Sequence, residues 1–187
     1  MSPQTDKTPA HFRTMAQLDV PQGRNGKHKQ IVSVILKDLD KLKEGSAIKV
    51  PLAELAEKHN SCLAIENHGD ALLNTLDSFK AFTDLNHSPQ LGIALAPYHL
   101  QAIGASVEDA IRISGKQLFF FYAWQKQPGM NQLPGHGPTD FAPWLKALAR
   151  VNYRWYVNPF MHGEGEPDDV SDALKKTRAY LEKCATS

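Results

Sequence analysis

The run Ala64-Ile-Glu-Asn-His places a carboxylate, Glu66, and an imidazole, His68, where a short apolar strand is expected to end. Both groups can move protons or ligate a cation. In α/β proteins ligands bind beyond the carboxyl ends of the strands, so this is the place to look for chemistry. Similar polar and aromatic groups recur at later strand ends: Tyr98 and His99 in Ala96-Pro-Tyr-His, Tyr122 and Trp124 in Phe121-Tyr-Ala-Trp, and Asn158 in Val157-Asn-Pro-Phe. His136, His162 and Glu164 lie in the loops that follow. Around the serines and cysteines no nucleophile, base and orienting group share a recognisable arrangement. Neither a dinucleotide glycine fingerprint nor a phosphate-loop lysine motif follows any strand.

These residues must be positioned by strands and helices in alternation. Leu63-Ala-Ile, Leu91-Gly-Ile-Ala-Leu-Ala, Leu118-Phe-Phe-Phe-Tyr-Ala-Trp and Trp155-Tyr-Val read as strands, and the second is apolar without alternation, as in a strand covered on both faces. Between them, Pro51 to His59, a helix capped by Thr75 with a stripe of Leu76, Phe79 and Phe82, and Val107 to Ser114 capped by Ser106 read as helices. A helix with Asp140 as its N-cap and a final helix from about Asp169 to Lys183 complete the series, the last burying Val170, Ala173, Leu174, Thr177 and Leu181. Upstream, His11 to Gln17 reads as a weak strand, and Ile31, Val34, Ile35, Leu39 and Leu42 fall at helical spacing in a helix ending near Gly45. Strand and helix in alternation imply a parallel sheet with right-handed crossovers.

The 187 residues suit one domain, expected over 27–187 after a flexible lead of 1–26 that includes the weak strand. With 21 Lys plus Arg against 20 Asp plus Glu the formal net charge is +1, and the Lys-rich stretch at 27–49 is interrupted by Asp38, Asp40 and Glu44. Nucleic acid is therefore not an expected partner. No apolar run reaches the length of a membrane span and no signal peptide core opens the chain, so neither a membrane nor export is expected and the cytoplasm is the default location. Cys62 is expected to be a reduced core thiol and Cys184 an exposed one near the terminus.

Taken in order, Ala64-Ile-Glu-Asn-His-Gly, Leu95-Ala-Pro-Tyr-His-Leu, the Phe/Tyr strand, Pro134-Gly-His-Gly with Asp140-Phe, and Tyr153 before the last strand carry a family pattern. From about Leu52 to Lys183 the chain resembles the C-terminal half of the sugar phosphate isomerase/epimerase superfamily, with its xylose isomerase-like TIM barrel. The resemblance implies a partial (β/α) barrel of about five parallel strands, with 63–66, 91–96, 118–123 and 155–158 as the fifth to eighth barrel strands and His11 to Gln17 as the fourth. A complete barrel takes about 250 residues. A partial one exposes two sheet edges, which a homodimer, the N-terminal segment or the rest of a longer gene product could cover; the homodimer is the first expectation.

The resemblance also implies a function: aldose-ketose isomerisation or epimerisation of a small carbohydrate, with a divalent metal (Mn, Mg, Zn or Co) held by two Glu, one Asp and one His at strand ends. Glu66 matches the first glutamate. The aspartate position holds Ala96, the histidine position Tyr122 and the last glutamate position Asn158. The metal site is thus expected to be degenerate, with Glu66, His136, His162 and Glu164 as the donors left to rebuild it. Glu66 and His99 are the expected catalytic groups, and His68, Tyr98, Tyr122, Trp124 and Asn158 the expected sugar contacts, by hydrogen bonding or ring stacking. The alternative is a sugar-binding or structural oligomeric fragment without catalysis.

Overall fold

A computed structural model describes residues 31–34, 43–44, 47–48 and 51–186 of the protein. Strand β1 (Ile31–Val34) is followed by the antiparallel pair β2 (Lys43–Glu44) and β3 (Ala47–Ile48), helix α1 (Pro51–Lys58) and strand β4 (Cys62–Glu66). The chain then alternates through α2 (Leu76–Leu85), β5 (Leu91–Leu95), α3 (Pro97–Ala102), α4 (Val107–Ser114), β6 (Leu118–Ala123), α5 (Ala142–Arg150), β7 (Val157–Pro159) and α6 (Pro167–Ala185). The strands β1, β4, β5, β6 and β7 lie side by side in that order, every pair parallel. This is the strand order of a barrel opened out, and it puts every strand's carboxyl end on one rim.

Several parts of the sequence reading change: Lys43–Glu44, expected at the end of a helix, is strand β2, and α3 follows β5 where no helix was expected. Ile31–Val34, expected as the start of a helix, is a strand paired in parallel with β4 from Ile31 against Cys62 to Val34 against Ile65. Three of its four residues are β-branched, and a run this short fits either periodicity; hydrogen bonding to the edge of β4 decides it. It also takes the place beside β4 that was expected for His11 to Gln17, a segment outside the described residues. The last strand starts at Val157 rather than Trp155 and runs to Pro159.

Local chemistry sets the helix ends. Thr75 accepts from the Ser78 amide (3.2 Å) while the Ser78 hydroxyl accepts from the Thr75 amide (3.1 Å), a reciprocal cap. Ser106 Oγ accepts from the Asp109 amide (3.1 Å), and Gly115, at φ +50, ends α4. Asp140 Oδ1 accepts from the Ala142 amide (2.9 Å), although Phe141 is the capping residue. Helix α6 continues past Lys183 to Ala185, which brings Cys184 to the cavity lined by Leu145, Leu148 and Val157. Cys184 is therefore buried, at 7% exposure, and not exposed as expected; Leu174, expected inside, is 41% exposed. Among the described residues no helix is long and apolar enough to cross a membrane.

Alternation along the strands makes two faces. Leu63, Ile65, Leu91, Ile93, Leu95 and Phe121 join Phe79, Phe82, Ile111, Trp144 and Leu148 of the helices in one core. The opposite face is small on β4 and β5 (Cys62, Ala64, Ala94, with Ala96 beyond the strand) and aromatic on β6 (Phe119, Phe120, Tyr122). Between Ile93 and Ala94 the register shifts by one residue, from Ile93 opposite Leu118 to Ala94 opposite Phe120. The bulge sets two successive rings, Phe119 and Phe120, into this second core. Room for the first exists because Gly92 has no side chain: a Cβ there would lie 2.5 Å from the Phe119 ring and 2.6 Å from the Gln117 carbonyl oxygen. Gly92→Ala is therefore expected to destabilise the fold by about 1–3 kcal/mol through overpacking. Urea denaturation checks this, and an unchanged midpoint would mean that the bulge yields without cost.

Candidate functional site

Each parallel strand delivers its last inward-facing side chain to the same rim. Glu66 ends β4, and Tyr122 lies on β6, in register with Asn158 of β7. Between β4 and β6 runs β5, and beside this pair its inner side is lined only by the methyls of Ala94 on the strand and Ala96 just beyond it. Over them the Tyr122 hydroxyl donates to Glu66 Oε2 at 2.9 Å. Tyr122 is only 1% exposed, while the Glu66 side chain is partly exposed.

Beyond the strand, Asn67 continues the ladder with its side chain. Its Nδ2 donates to the Ala96 carbonyl (3.0 Å), its Oδ1 accepts from the Ala96 amide, and its own amide donates to the Ala94 carbonyl (3.3 Å). A carboxamide carries the same donor and acceptor pair as a peptide group, so it satisfies a buried backbone where the strands splay.

Beside this pair lies a cluster of rings. His68 and His99 have centroids 4.2 Å apart, and the His99 ring meets Trp124 edge-on at 5.3 Å. Tyr98 stacks on Trp124 at 4.4 Å with 16° between the planes, and Phe160 and His162 approach the same indole at 4.9 Å each. Phe160 also meets Tyr122 at 5.3 Å, which joins the cluster to the Glu66 pair. Burial, then the neighbouring His68 and His162, lower the His99 pKa to about 4. At neutral pH His99 is thus an uncharged ring that can donate one hydrogen bond and accept another.

The family model for the xylose isomerase-like TIM barrel matches residues 49–184. The chain belongs to this family. No curated protein matches it. Among solved structures it is similar to the 3-keto-D-glucoside 4-epimerase YcjR from E. coli (TM-score 0.58, 17% identity, over 80% of this chain and 63% of that one). It is also similar to an L-ribulose 3-epimerase (0.57, 21%, 83% and 61%) and to the IOLI protein with a binding zinc atom (0.57, 17%, 83% and 62%). The chain spans about half to two thirds of the length of these structures and of a D-psicose 3-epimerase solved with D-fructose (TM-score 0.52, 22% identity, 72% of this chain and 50% of that one).

In this xylose isomerase-like chain the donors expected for a metal do not gather. Among the described residues no group of three or more His, Cys, Asp or Glu side chains could hold a metal ion. His136 turns to α6, where its Nε2 lies 3.1 Å from the Ala173 carbonyl oxygen and must carry the proton. Its loop is fastened to the same helix by Thr177, whose hydroxyl donates to the Pro134 carbonyl at 3.0 Å. Glu164 is exposed, and His162 packs on Trp124 and Phe160. The described side chains therefore do not fit the family's ion.

The expected sugar contacts are brought together more fully. His68, Tyr98, His99, Tyr122 and Trp124 share the rim with Glu66, but Trp124 is 2% exposed with a face covered by Tyr98, which does not fit the expected sugar contact. The Asn158 amide nitrogen is spent on the backbone, donating to the Tyr156 carbonyl at 2.8 Å and the Phe121 carbonyl at 3.4 Å. Asn67 and Gln132, which hold the rim, escaped sequence reasoning. Uncharged amides have no spacing signature, and a Gln in a Gly/Pro-rich loop looks like any other loop residue.

Because the folded-state pKa of His99 lies below its usual 6.5, folding favours the neutral ring. Its stabilisation is present above pH 6.5 and is lost as pH falls toward about 4, where the folded ring takes up its proton. Urea denaturation of the chain and of His99→Phe across this range is expected to show a smaller acid loss of stability in the variant. Parallel losses would show that His99 is not the responsible group.

Proposed function

We propose that this chain is a sugar phosphate isomerase/epimerase-like protein whose family metal site has degenerated, and that it binds a small ketose at the strand exits without relying on an ion. The observation that carries this reading is the Tyr122–Glu66 hydrogen bond over Ala94 and Ala96, which keeps a carboxylate on the rim where the family's ion would otherwise order it. Glu66 would accept from sugar hydroxyls, His68 and the neutral ring of His99 would add hydrogen bonds, and the partly exposed Tyr98 ring would stack on the C–H face of the sugar. The names of the similar solved structures, epimerases of ketoses and of a keto-glucoside, support the ligand class. Turnover would need Glu66 or His99 to move a proton beside the carbonyl. The alternative is binding without conversion.

The same proposal includes a cytoplasmic domain over 27–187 that works as a homodimer. Within the described sheet β1 and β7 each have one strand neighbour, and pairing with a second chain would cover such an edge.

D-Fructose, D-psicose and D-tagatose serve as probes in titration calorimetry. At least one is expected to bind with an affinity unchanged by EDTA, and Glu66→Gln is expected to weaken it about tenfold or more through loss of a charged acceptor. Chromatography of the recovered sugar separates turnover from binding. Binding abolished by EDTA, or unaffected by Glu66→Gln, would overturn the proposed site.

A further inference from the structure

Gln132 sits in the short 3₁₀ turn Gly129–Gln132 after β6 and is buried. Its Oε1 accepts from the Trp124 indole Nε1–H at 2.7 Å and from the His162 amide at 3.0 Å. Its Nε2 donates to the Gly129 carbonyl and to the His162 carbonyl, both at 2.9 Å. Every hydrogen-bonding position of the carboxamide is filled. The indole and the amide N–H groups can only donate and the two carbonyls can only accept, so the orientation of the side chain is unambiguous and only an amide meets all four demands. Glu has the same shape but, ionised, sets a carboxylate against two carbonyl oxygens. Leu fills the space and leaves the indole N–H without its acceptor.

We propose that Gln132 is the positioning residue of the rim: by holding the Trp124 indole it fixes the Tyr98 ring stacked on it, and by holding both backbone groups of His162 it ties the loop after β7 to the exit of β6. The ligand part of this inference rests on the sugar-binding reading above, while the ring-holding part stands on the hydrogen bonds alone. A ring already set at the angle its ligand needs costs no ordering on binding, and this advantage is lost when the indole can tilt. Gln132 touches no ligand in this account. It acts through Trp124 and Tyr98.

The test uses the full chain with Gln132→Glu and Gln132→Leu, D-fructose as the probe, and the indole N–H resonances in ¹⁵N NMR. Gln132→Leu is expected to bind about tenfold more weakly at all pH values. Gln132→Glu is expected to be weakened as much at about pH 8 but to recover most of the loss at about pH 5.5, because burial and the two carbonyls raise the pKa of the new carboxyl and its protonated form restores a donor. The ionisable rings facing this indole are His162 and His99, both edge-on to it, with His68 packed on His99, so each variant is read as a ratio to the unmodified chain at the same pH. A loss independent of pH in both variants would reveal a merely structural role and overturn the proposal, as would wild-type binding in both.

If the unmodified chain binds no D-fructose, the sugar reading fails there, and the indole resonances decide the ring-holding part. In the unmodified chain the Trp124 N–H is expected to exchange with solvent at least about tenfold more slowly than that of Trp155, and Gln132→Leu is expected to remove the difference. Equal exchange in the unmodified chain would overturn the inference even if neither variant folds.

Discussion

A single hydrogen bond across three strands organises this rim. Glu66 on β4 and Tyr122 on β6 are separated by β5, and they meet at 2.9 Å only because the intervening strand presents methyl groups on that face. A larger or charged side chain at Ala96 would stand between them. In the proposed reading the family's aspartate would stand at that position, so the small residue that withholds one metal donor would also make space for the contact that holds Glu66 in place.

The same economy of volume runs down the sheet. Ala64, Gly92 and Ala94 leave an inner face too shallow to fill a core, and β6 makes up the deficit with rings. The bulge at Phe119 supplies one ring more than regular alternation would allow. Large residues on β6 pack beside small ones on β4 and β5, and at the strand exits Tyr98, Trp124 and Phe160 gather. Uncharged His99 is part of that packing as much as part of any chemistry, since burial among rings is what keeps its proton off.

The order of strands and helices from Cys62 onward was legible apart from α3, because each buried strand is a bounded apolar run and α2 and α4 carry their own start signals, Thr75 and Ser106. Glu66, His68, Tyr98, His99 and Tyr122 were legible as rim residues because a parallel sheet sends all its strand ends one way. Ile31–Val34 was misread: four residues hold too little periodicity to separate strand from helix, and the deciding hydrogen bonds come from Cys62–Ile65, some thirty residues away. His136 was misplaced for a related reason. Its loop does follow a barrel strand, but Pro134 is drawn to Thr177 of α6, a contact that no local pattern announces. Gln132 and Asn67 were silent because their importance lies in partners supplied by the fold.

In the proposed reading a polar pair, and not an ion, orders the strand exits of this xylose isomerase-like chain. A crystal soaked with manganese and D-fructose, measured for anomalous scattering, tests it most directly. Sugar density is expected against Glu66 and Tyr98, with the Tyr122–Glu66 bond intact and no anomalous peak within bonding distance of the Glu66 carboxylate. A strong peak there, with Tyr122 displaced from Glu66, would contradict it.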